Sequence, residues 1–365
     1  MRIPIIFRAA AALAALATAA GAARGQTEQL SDQAYKNIQV LKGVPVSQFM
    51  NTMFFQRYAL GVSCSYCHVD GQWEKDDKPA KAKARQMQQM VLDLNKNVFH
   101  DTKVNCVTCH RGTVTLQTEI VASRISFDQM LGPRRRPAAS VKDSTALPSA
   151  ASVIAKYIAA LGGRENLAKI RNTVTKGNLI TSEGRIVPFD ESYESAPNRW
   201  VYARHFGGTL GDFSTGFDGT TAWNKDNRGL TIHSGLARAR SMLTAELQTG
   251  LHLEELYGNL KVTGTETVGT TQNVIVSGVT KLTGLQERLY FDAVSGLLTR
   301  RSTLTESLFG AYSSDMYFEN YQLVDGVMIP TLVSQFTPDD GTVRKLTSIE
   351  HNAKLDPSVF AKPEK

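Results

Sequence analysis

Cysteine is absent after Cys109, and all four cysteines of the 365-residue chain lie between Cys64 and that position. The residues that follow can therefore form neither a disulfide nor a cysteine-ligated metal site among themselves. They also contain no phosphate loop, dinucleotide fingerprint or nucleophile motif, which excludes the enzyme classes that depend on those motifs. No stretch beyond residue 25 is long and apolar enough to predict a membrane-spanning helix. We therefore expect the residues that carry out the chemical function of the protein to lie before residue 111.

Basic residues are not in sufficient excess to indicate a nucleic-acid partner. The formal net charge is +7, and the first 25 residues contribute Arg2, Arg8 and Arg24 with no acidic residue. Subtracting these three charges from +7 leaves +4. The one basic cluster, residues 134–136, lies beside prolines, and we interpret it as a solvated run in a linker. We expect no nucleic-acid partner.

Residues 1–25 are typical of a secretory signal peptide. Arg2 and Arg8 form a basic start, residues 9–23 are rich in alanine and leucine, and small residues precede Gln26. The apolar run is shorter than the roughly 18 residues that a transmembrane helix needs. We therefore predict a cleaved signal peptide and a mature protein that is periplasmic or otherwise exported, either soluble or peripherally associated with a membrane. A retained membrane anchor is the alternative.

The four cysteines form two identical C-x-x-C-H motifs, Cys64-Ser-Tyr-Cys67-His68 and Cys106-Val-Thr-Cys109-His110. Such pairs occur in thiol redox sites, in four-cysteine zinc sites and at covalent haem attachment sites. A zinc site does not require a histidine after each pair, and its pairs are usually about 15–20 residues apart. A redox dithiol needs one pair, beside a strand–helix–strand pattern that is missing here. Two complete motifs with no cysteine left over favour haem.

Covalent haem attachment uses every defined residue of the motif. The two thiols form thioether bonds with the haem, and the histidine supplies the proximal imidazole. The sequence therefore predicts two covalently attached haem c groups, the first on Cys64, Cys67 and His68 and the second on Cys106, Cys109 and His110.

Each motif follows a predicted helix that carries two methionines three residues apart. The first helix, residues 45–60, has Met50 and Met53, and the second, residues 79–97, has Met87 and Met90. A proline suits the first turn of each helix. Methionines on an apolar helix face are usually core residues, whereas beside a haem motif a thioether can close the sixth position of the iron. The spacing leaves open which methionine of each pair does so.

In this region the chain resembles the cytochrome subunit of bacterial photosynthetic reaction centres. The likeness covers roughly residues 34–115. Beyond the two motifs it includes residues 35–41, the stretch from Phe49 to Met53, Ala84-Arg-Gln-Met87-Gln-Gln-Met90, Asn95, and Arg111-Gly112. Haem binding in general does not require several of these residues, so the resemblance is specific.

The resemblance implies that Met53 and Met87 are the sixth ligands of the first and second haem, and that Met50 and Met90 are packing residues. It also aligns His100 with a histidine that, in the family, ligates a haem held by the other half of the subunit. That subunit has four haems in two similar halves, whereas this chain has two attachment motifs. The resemblance therefore supports the haems and their ligands more than a role in photosynthesis.

The composition shifts to Pro, Ala, Ser and Arg over residues 126–150, as in a linker. We predict a mostly α-helical di-haem cytochrome c domain over residues 26–125 and an α+β domain with a large curved antiparallel sheet over residues 151–365. Period-two alternation and turn pairs such as Asp325-Gly326 predict the sheet. In the order of its elements, and in residues 290–298 and 324–327, this part resembles periplasmic lipoprotein carriers. That resemblance implies lipid or membrane-surface contact.

These features favour an electron-transfer protein and not an enzyme. Two closed irons suit electron exchange with redox partner proteins, which the sequence does not name. One alternative is a peroxidase-type enzyme, which needs an iron able to open. Another is a lipid or lipoprotein carrier with an accessory haem domain. The later histidines show no metal-ligand spacing, and we expect each to be a surface or core residue: His205, His233, His252 and His351.

Overall fold

The computed structural model describes residues 29–99, 103–116, 147–207, 211–268, 271–338 and 340–364. The predicted signal peptide, most of the predicted linker and His100 lie outside these ranges, so the expectations for them stay predictions. Within the described ranges no helix is long and apolar enough to cross a membrane.

The described part before residue 117 is built from five helices. They are α1 Ser31–Ala34, α2 Val46–Leu60, α3 Cys64–Cys67, α4 Pro79–Asn97 and α5 Cys106–His110. α2 follows Pro45 and ends at Gly61, which adopts a left-handed φ of 63° that favours glycine. α4 starts with Pro79 in its first turn. The predicted bounds of α4 are confirmed, and those of α2 are confirmed to within one residue.

The C-terminal part contains thirteen strands and a few short helices among the residues described. The helices are α6 Ala150–Ala160, α7 Arg164–Lys169, α8 Gly235–Thr244, α9 Leu253–Leu256 and the 3-10 helix Pro357–Phe360. The strands are β1 Asn172–Thr181, β2 Ile186–Glu194, β3 Arg199–His205, β4 Asp212–Phe217, β5 Ala222–Asp226, β6 Gly229–His233, β7 Tyr257–Val268, β8 Thr271–Thr280, β9 Gln286–Asp292, β10 Leu298–Ser307, β11 Gly310–Val324, β12 Val327–Phe336 and β13 Gly341–His351.

All thirteen strands belong to one antiparallel sheet, in the order β6-β5-β4-β3-β2-β1-β13-β12-β11-β10-β9-β8-β7. Every pair of neighbours except β1 and β13 is consecutive in the chain, so tight turns make most connections. β11 and β12 are joined by Asp325 and Gly326, with φ of 50° and 81°. Positive φ at both turn residues is what a two-residue type I′ hairpin requires. The predicted large antiparallel sheet is confirmed.

Helices pack against both ends of the sheet. α6 lies on β7 and β8, and its Tyr157 is 5.1 Å from Phe291 between ring centroids in a buried cluster. α8 lies on β4 and β5, where Ala245, just after the helix, packs with Trp200 and Phe217. The two edges of the sheet therefore each have a separate hydrophobic core.

The N-terminal helices and the sheet also share a core. α2 contacts β10 and β11. Phe309, in the turn between those strands, is buried in one cluster with Leu41, Phe49 and Phe55 of the N-terminal part. The two parts that the sequence divides therefore meet through a common hydrophobic cluster.

Candidate haem-binding sites

The two cysteines of each C-x-x-C-H motif lie on one short helix. Cys64 and Cys67 are the first and last residues of α3, and α5 runs from Cys106 to His110. Residues three apart on a helix lie on nearly the same face, so both thiols of each pair point to one side. None of the four cysteines forms a disulfide.

The two motif histidines have the same hydrogen-bond arrangement. Nδ1 of His68 is 3.0 Å from the carbonyl oxygen of Trp73, and Nδ1 of His110 is 3.1 Å from that of Thr113. A carbonyl can only accept, so Nδ1 carries the proton in both rings and Nε2 keeps its lone pair. Within the described part of the chain, Nε2 of neither ring has a hydrogen-bond partner. This is the tautomer that an imidazole needs in order to bind a metal through Nε2.

Burial disfavours the thiolate form of one cysteine in each pair. It raises the pKa of Cys67, and it raises the pKa of Cys106 to about 11. A redox-active dithiol and a zinc ligand both depend on the thiolate. The raised pKa values therefore disfavour a redox-active dithiol. No three His, Cys, Asp or Glu side chains form a candidate metal site among the residues that the structure describes.

A single cleft brings together the predicted residues of the first haem. Met53, Cys64, Cys67 and His68 all line it, and it encloses about 860 Å³ of empty space, open solvent included. Its α2 wall is one side of the helix, made of Phe49, Met53, Gln56, Arg57 and Leu60. Its α4 wall is a second stripe, made of Lys81, Ala84, Arg85 and Gln88. Two thiols, one thioether and an imidazole with an available Nε2 therefore face the same space, and this donor set fits a covalently attached haem.

The loop that follows the first motif is fastened to α4 at the rim of this cleft. Nζ of Lys81 donates to the carbonyl of Trp73 at 2.9 Å. Arg85 donates to Asp76 at 2.9 Å and to the carbonyl of Asn37 at 3.0 Å. Arg85, followed by Asn37 and Lys81, holds the pKa of the Asp76 carboxyl well below its ordinary range. The backbone that orients His68 is therefore fixed relative to the cleft.

The second motif is held by the other end of α4. Nδ2 of Asn95 donates to the carbonyl of Val104 at 2.8 Å, and the N–H of Val104 donates back to Oδ1 at 2.8 Å. Asn105 then caps α5, accepting from the backbone N–H of Thr108 at 3.2 Å. These bonds fix the start of the helix that carries Cys106.

The segment after the second motif lies against the end of α2. The N–H of Gly112 donates to the carbonyl of Ala59 at 2.9 Å. At Gly61, a Cβ would overlap the carbonyl oxygen of Gly112. This close approach, together with the positive φ, accounts for glycine at Gly61. α2 therefore contacts the second motif while its other face lines the cleft of the first.

Burial separates the two methionines of each pair. Met53 packs against the shared cluster and lines the cleft, whereas Met50 is 36% exposed. Met87 is partly buried on α4, whereas Met90 is 42% exposed. Met50 and Met90 are therefore not packing residues, which corrects the expectation drawn from the resemblance. Their side chains lie on helix faces that the protein core does not cover.

Met87 lies outside the first cleft and on the α4 face that holds the second motif. It is four residues before the buried Val91 and eight before Asn95, which places all three on one face. Met90, three residues after Met87, lies on the side of Met87 that points away from Val91 and Asn95. The structure therefore groups Met53 with the first motif in one cleft, and it places Met87 on the side of α4 that carries Asn95, which binds Val104 just before the second motif.

The later histidines do not gather into a site within the described residues. His205 lies between two carboxylates on the sheet, at 2.8 Å from Asp190 and 3.2 Å from Asp212. His252 lies 3.0 Å from Glu246 on a different element. Each has its own local partner, as expected for residues that are not metal ligands.

A c-type cytochrome site has two thiols and an imidazole with an available Nε2 at the same cleft, and the first motif has these features. Comparison with known proteins agrees with this class. Residues 6–170 match the family model described as photosynthetic reaction centre cytochrome C subunit. The predicted resemblance is confirmed for this part of the chain.

Curated relatives are also cytochromes. The photosynthetic reaction center cytochrome c subunit of Thermochromatium tepidum is 37% identical over 95 residues, which is 25% of this chain and 24% of the relative. Cytochrome c-554 of Chloroflexus aurantiacus is 37% identical over 83 residues, which is 20% of each protein. The chain thus spans about a quarter or less of the length of these relatives.

Among solved structures, the neighbours include a LolA superfamily protein from Nitrosomonas europaea. It overlaps 59% of this chain and 98% of its own, with a TM-score of 0.41 and 10% identity. At this TM-score it carries no argument about what the sheet binds.

Proposed function

We propose that this chain is an exported electron-transfer protein that carries two covalently attached haem c groups. The cleft that brings Met53, Cys64, Cys67 and His68 together carries this proposal. A bound haem would supply a reversible one-electron change between Fe(II) and Fe(III). The donor and acceptor are redox partner proteins that exchange electrons with these groups.

In the first site, Cys64 and Cys67 would hold the cofactor through thioether bonds, and His68 and Met53 would ligate its iron. The carbonyl of Trp73 accepts the Nδ1 proton of His68 at 3.0 Å. This bond fixes the ring orientation and increases the basicity of Nε2. The thioether of Met53 is a weak neutral ligand, which favours the reduced iron and a comparatively high potential.

In the second site, the corresponding residues are Cys106, Cys109, His110 and Met87. The carbonyl of Thr113 accepts from Nδ1 of His110 at 3.1 Å. The second imidazole is thus oriented by the same kind of bond as the first. With a histidine and a methionine on each iron, no position would be open to peroxide or oxygen, which would suit an electron carrier better than a peroxidase-type enzyme.

The proposal is tested by the haem content and ligation of the purified holoprotein. We expect two haems that survive acid–acetone extraction, low-spin spectra and little carbon monoxide binding in the reduced form. Replacing Cys64 and Cys67 by Ala should remove one haem and leave the other. Zinc in place of haem iron, or rapid carbon monoxide binding by the unmutated protein, contradicts the proposal.

The methionine assignments are tested by two matched pairs of variants. Met53→Ala should open the first iron to carbon monoxide, and Met87→Ala the second. Met50→Ala and Met90→Ala are the controls, because each removes a methionine of the same helix that is exposed. A control variant that loses its sixth ligand while its partner variant keeps it refutes the assignment.

Export and lipid contact are separate parts of the proposal, each with its own measurement. The mass of the mature protein should correspond to a chain that starts at Gln26 if residues 1–25 are a cleaved signal peptide. Contact of the C-terminal part with a lipid or a membrane surface should be visible as lipid that co-purifies with the protein. One buried region of the sheet is polar: Glu191 is 3% exposed and accepts from Tyr193 and Trp200 at 2.9 Å each. An acyl chain would therefore have to lie elsewhere on the sheet.

A further inference from the structure

The turn between β10 and β11, residues 307–310, carries one buried aromatic side chain, whereas Leu308 beside it is exposed. Phe309 is only 5% exposed, although turns usually run over the protein surface. We call residues 307–310 the hairpin tip. Something other than the sheet must cover its aromatic side chain.

The N-terminal helices provide that cover. Phe309 lies in a buried cluster whose other buried members all precede residue 92: Leu41, Phe49, Phe55 and Val91. Met53 and Cys106 pack against the same cluster. The hairpin tip therefore completes the core to which residues of both proposed haem sites belong.

Directed contacts fix the hairpin tip on α2. The N–H of Leu308 donates to Oγ1 of the fully buried Thr52 at 3.2 Å. Nδ2 of Asn51 donates to the carbonyl of Glu306 at 3.1 Å. Such bonds define the position of the tip along the helix as well as its burial.

The tip also reaches the start of the second attachment helix. A Cβ at Gly310 would lie 2.8 Å from the Phe55 ring and 3.1 Å from Nδ2 of Asn105. Asn105 is the residue that caps α5, which carries Cys106, Cys109 and His110. Gly310 is therefore packed between α2 and the cap of the second motif.

We infer that the hairpin tip positions the second haem-binding motif, so that the sheet is a structural part of that haem site. The inference rests on the proposed function. Phe309 holds α2 and Cys106 in one cluster, and Gly310 allows the cap of α5 to approach α2. Phe309 and Gly310 lie outside residues 6–170, the part that matches the cytochrome family. The sheet thus packs against the cytochrome part through residues that the family model does not cover.

Two variants of the full-length holoprotein test this inference. Phe309→Ala removes the side chain that fills the cluster, and Gly310→Ala adds a Cβ against Asn105. We expect both variants to shift the midpoint potential and visible spectrum of the second haem, or to lower its attachment yield. Phe309→Ala should affect the first haem as well, because Met53 packs against the same cluster. Phe309→Leu should restore most of the wild-type potential because it refills the cluster.

Leu323→Ala is the matched control, since Leu323 lies at the far end of β11 and is 69% exposed. A variant that lacks Cys106 and Cys109 identifies which spectral component belongs to the second haem. If Phe309→Ala and Gly310→Ala lower thermal stability but leave both potentials as Leu323→Ala does, the inference is overturned and the proposed function stands. If the wild-type protein holds no haem, the proposed function fails and the inference fails with it.

Discussion

Asn95→Ala is expected to destabilise the holoprotein because it removes the clamp between α4 and the second motif. Two part-buried hydrogen bonds of 2.8 Å to Val104 are lost, and each contributes about 1 kcal/mol. Val104 is partly exposed, so water can reach its freed N–H and carbonyl and limits the further cost. Alanine is the better helix former and offsets about 0.5 kcal/mol. The expected net loss is therefore about 1.5 kcal/mol.

Urea unfolding followed by circular dichroism measures this loss, with haem absorbance recorded in the same samples. Gln89→Ala is the control on the same helix. It removes an exposed 3.0 Å bond from Gln89 to Asp93, which contributes only about 0.2–0.5 kcal/mol. If the two variants unfold at the same urea concentration, the clamp contributes nothing and the role given to Asn95 is wrong.

Two further predictions concern backbone packing and a titrating side chain. Gly43→Ala, at a φ of 73° with no atom within 4 Å of its Cβ, should cost about 1 kcal/mol from its conformation alone. Gly61→Ala should cost more, since its Cβ would overlap the carbonyl of Gly112; equal urea midpoints would contradict that contact. Two hydrogen bonds raise the pKa of His205 above its ordinary 6.5: the larger effect comes from Asp190 and the next from Asp212. Protonated His205 therefore stabilises the folded state. This contribution is complete below the unfolded-state pKa of His205 and is lost as the pH rises through its folded-state pKa. Asp190→Asn should lower the pKa of His205 in an NMR titration, and an unchanged value would refute this pairing.

Local signals in the sequence were sufficient to predict the helices around the motifs. Pro79 marks the start of α4, and the Ala-, Lys- and Gln-rich stretch behind it favours a helix until Asn97. Pro45 and Gly61 bracket α2 in the same way. Alternation and turn pairs predicted the strands, because hairpins between neighbouring strands are also local features. The pairing of β1 with β13 joins residues far apart in the chain, and no local pattern specifies it.

Contacts between distant segments were also beyond the sequence at the candidate sites. Nothing in the sequence near Phe309 distinguishes it from other aromatic residues of the strands, yet it is buried against helices more than two hundred residues earlier in the chain. Trp73 orients His68 through its backbone carbonyl, and a carbonyl is common to every residue type. The exposure of Met50 and Met90 likewise follows from how α2 and α4 lie against their neighbours.

The two faces of α4 account for its length and relate the two proposed sites. In its first half, one face lines the first cleft at i, i+3, i+4 and i+7 with Lys81, Ala84, Arg85 and Gln88. The adjacent face carries Met87, Val91 and Asn95 at i, i+4 and i+8. A helix of 19 residues is long enough to carry both stripes with an offset along its axis. A shorter helix would lose either the rim contacts of Lys81 or the clamp of Asn95. Of the two methionines on α4, Met87 lies closer to the Asn95 stripe, which supports its proposed assignment to the second motif.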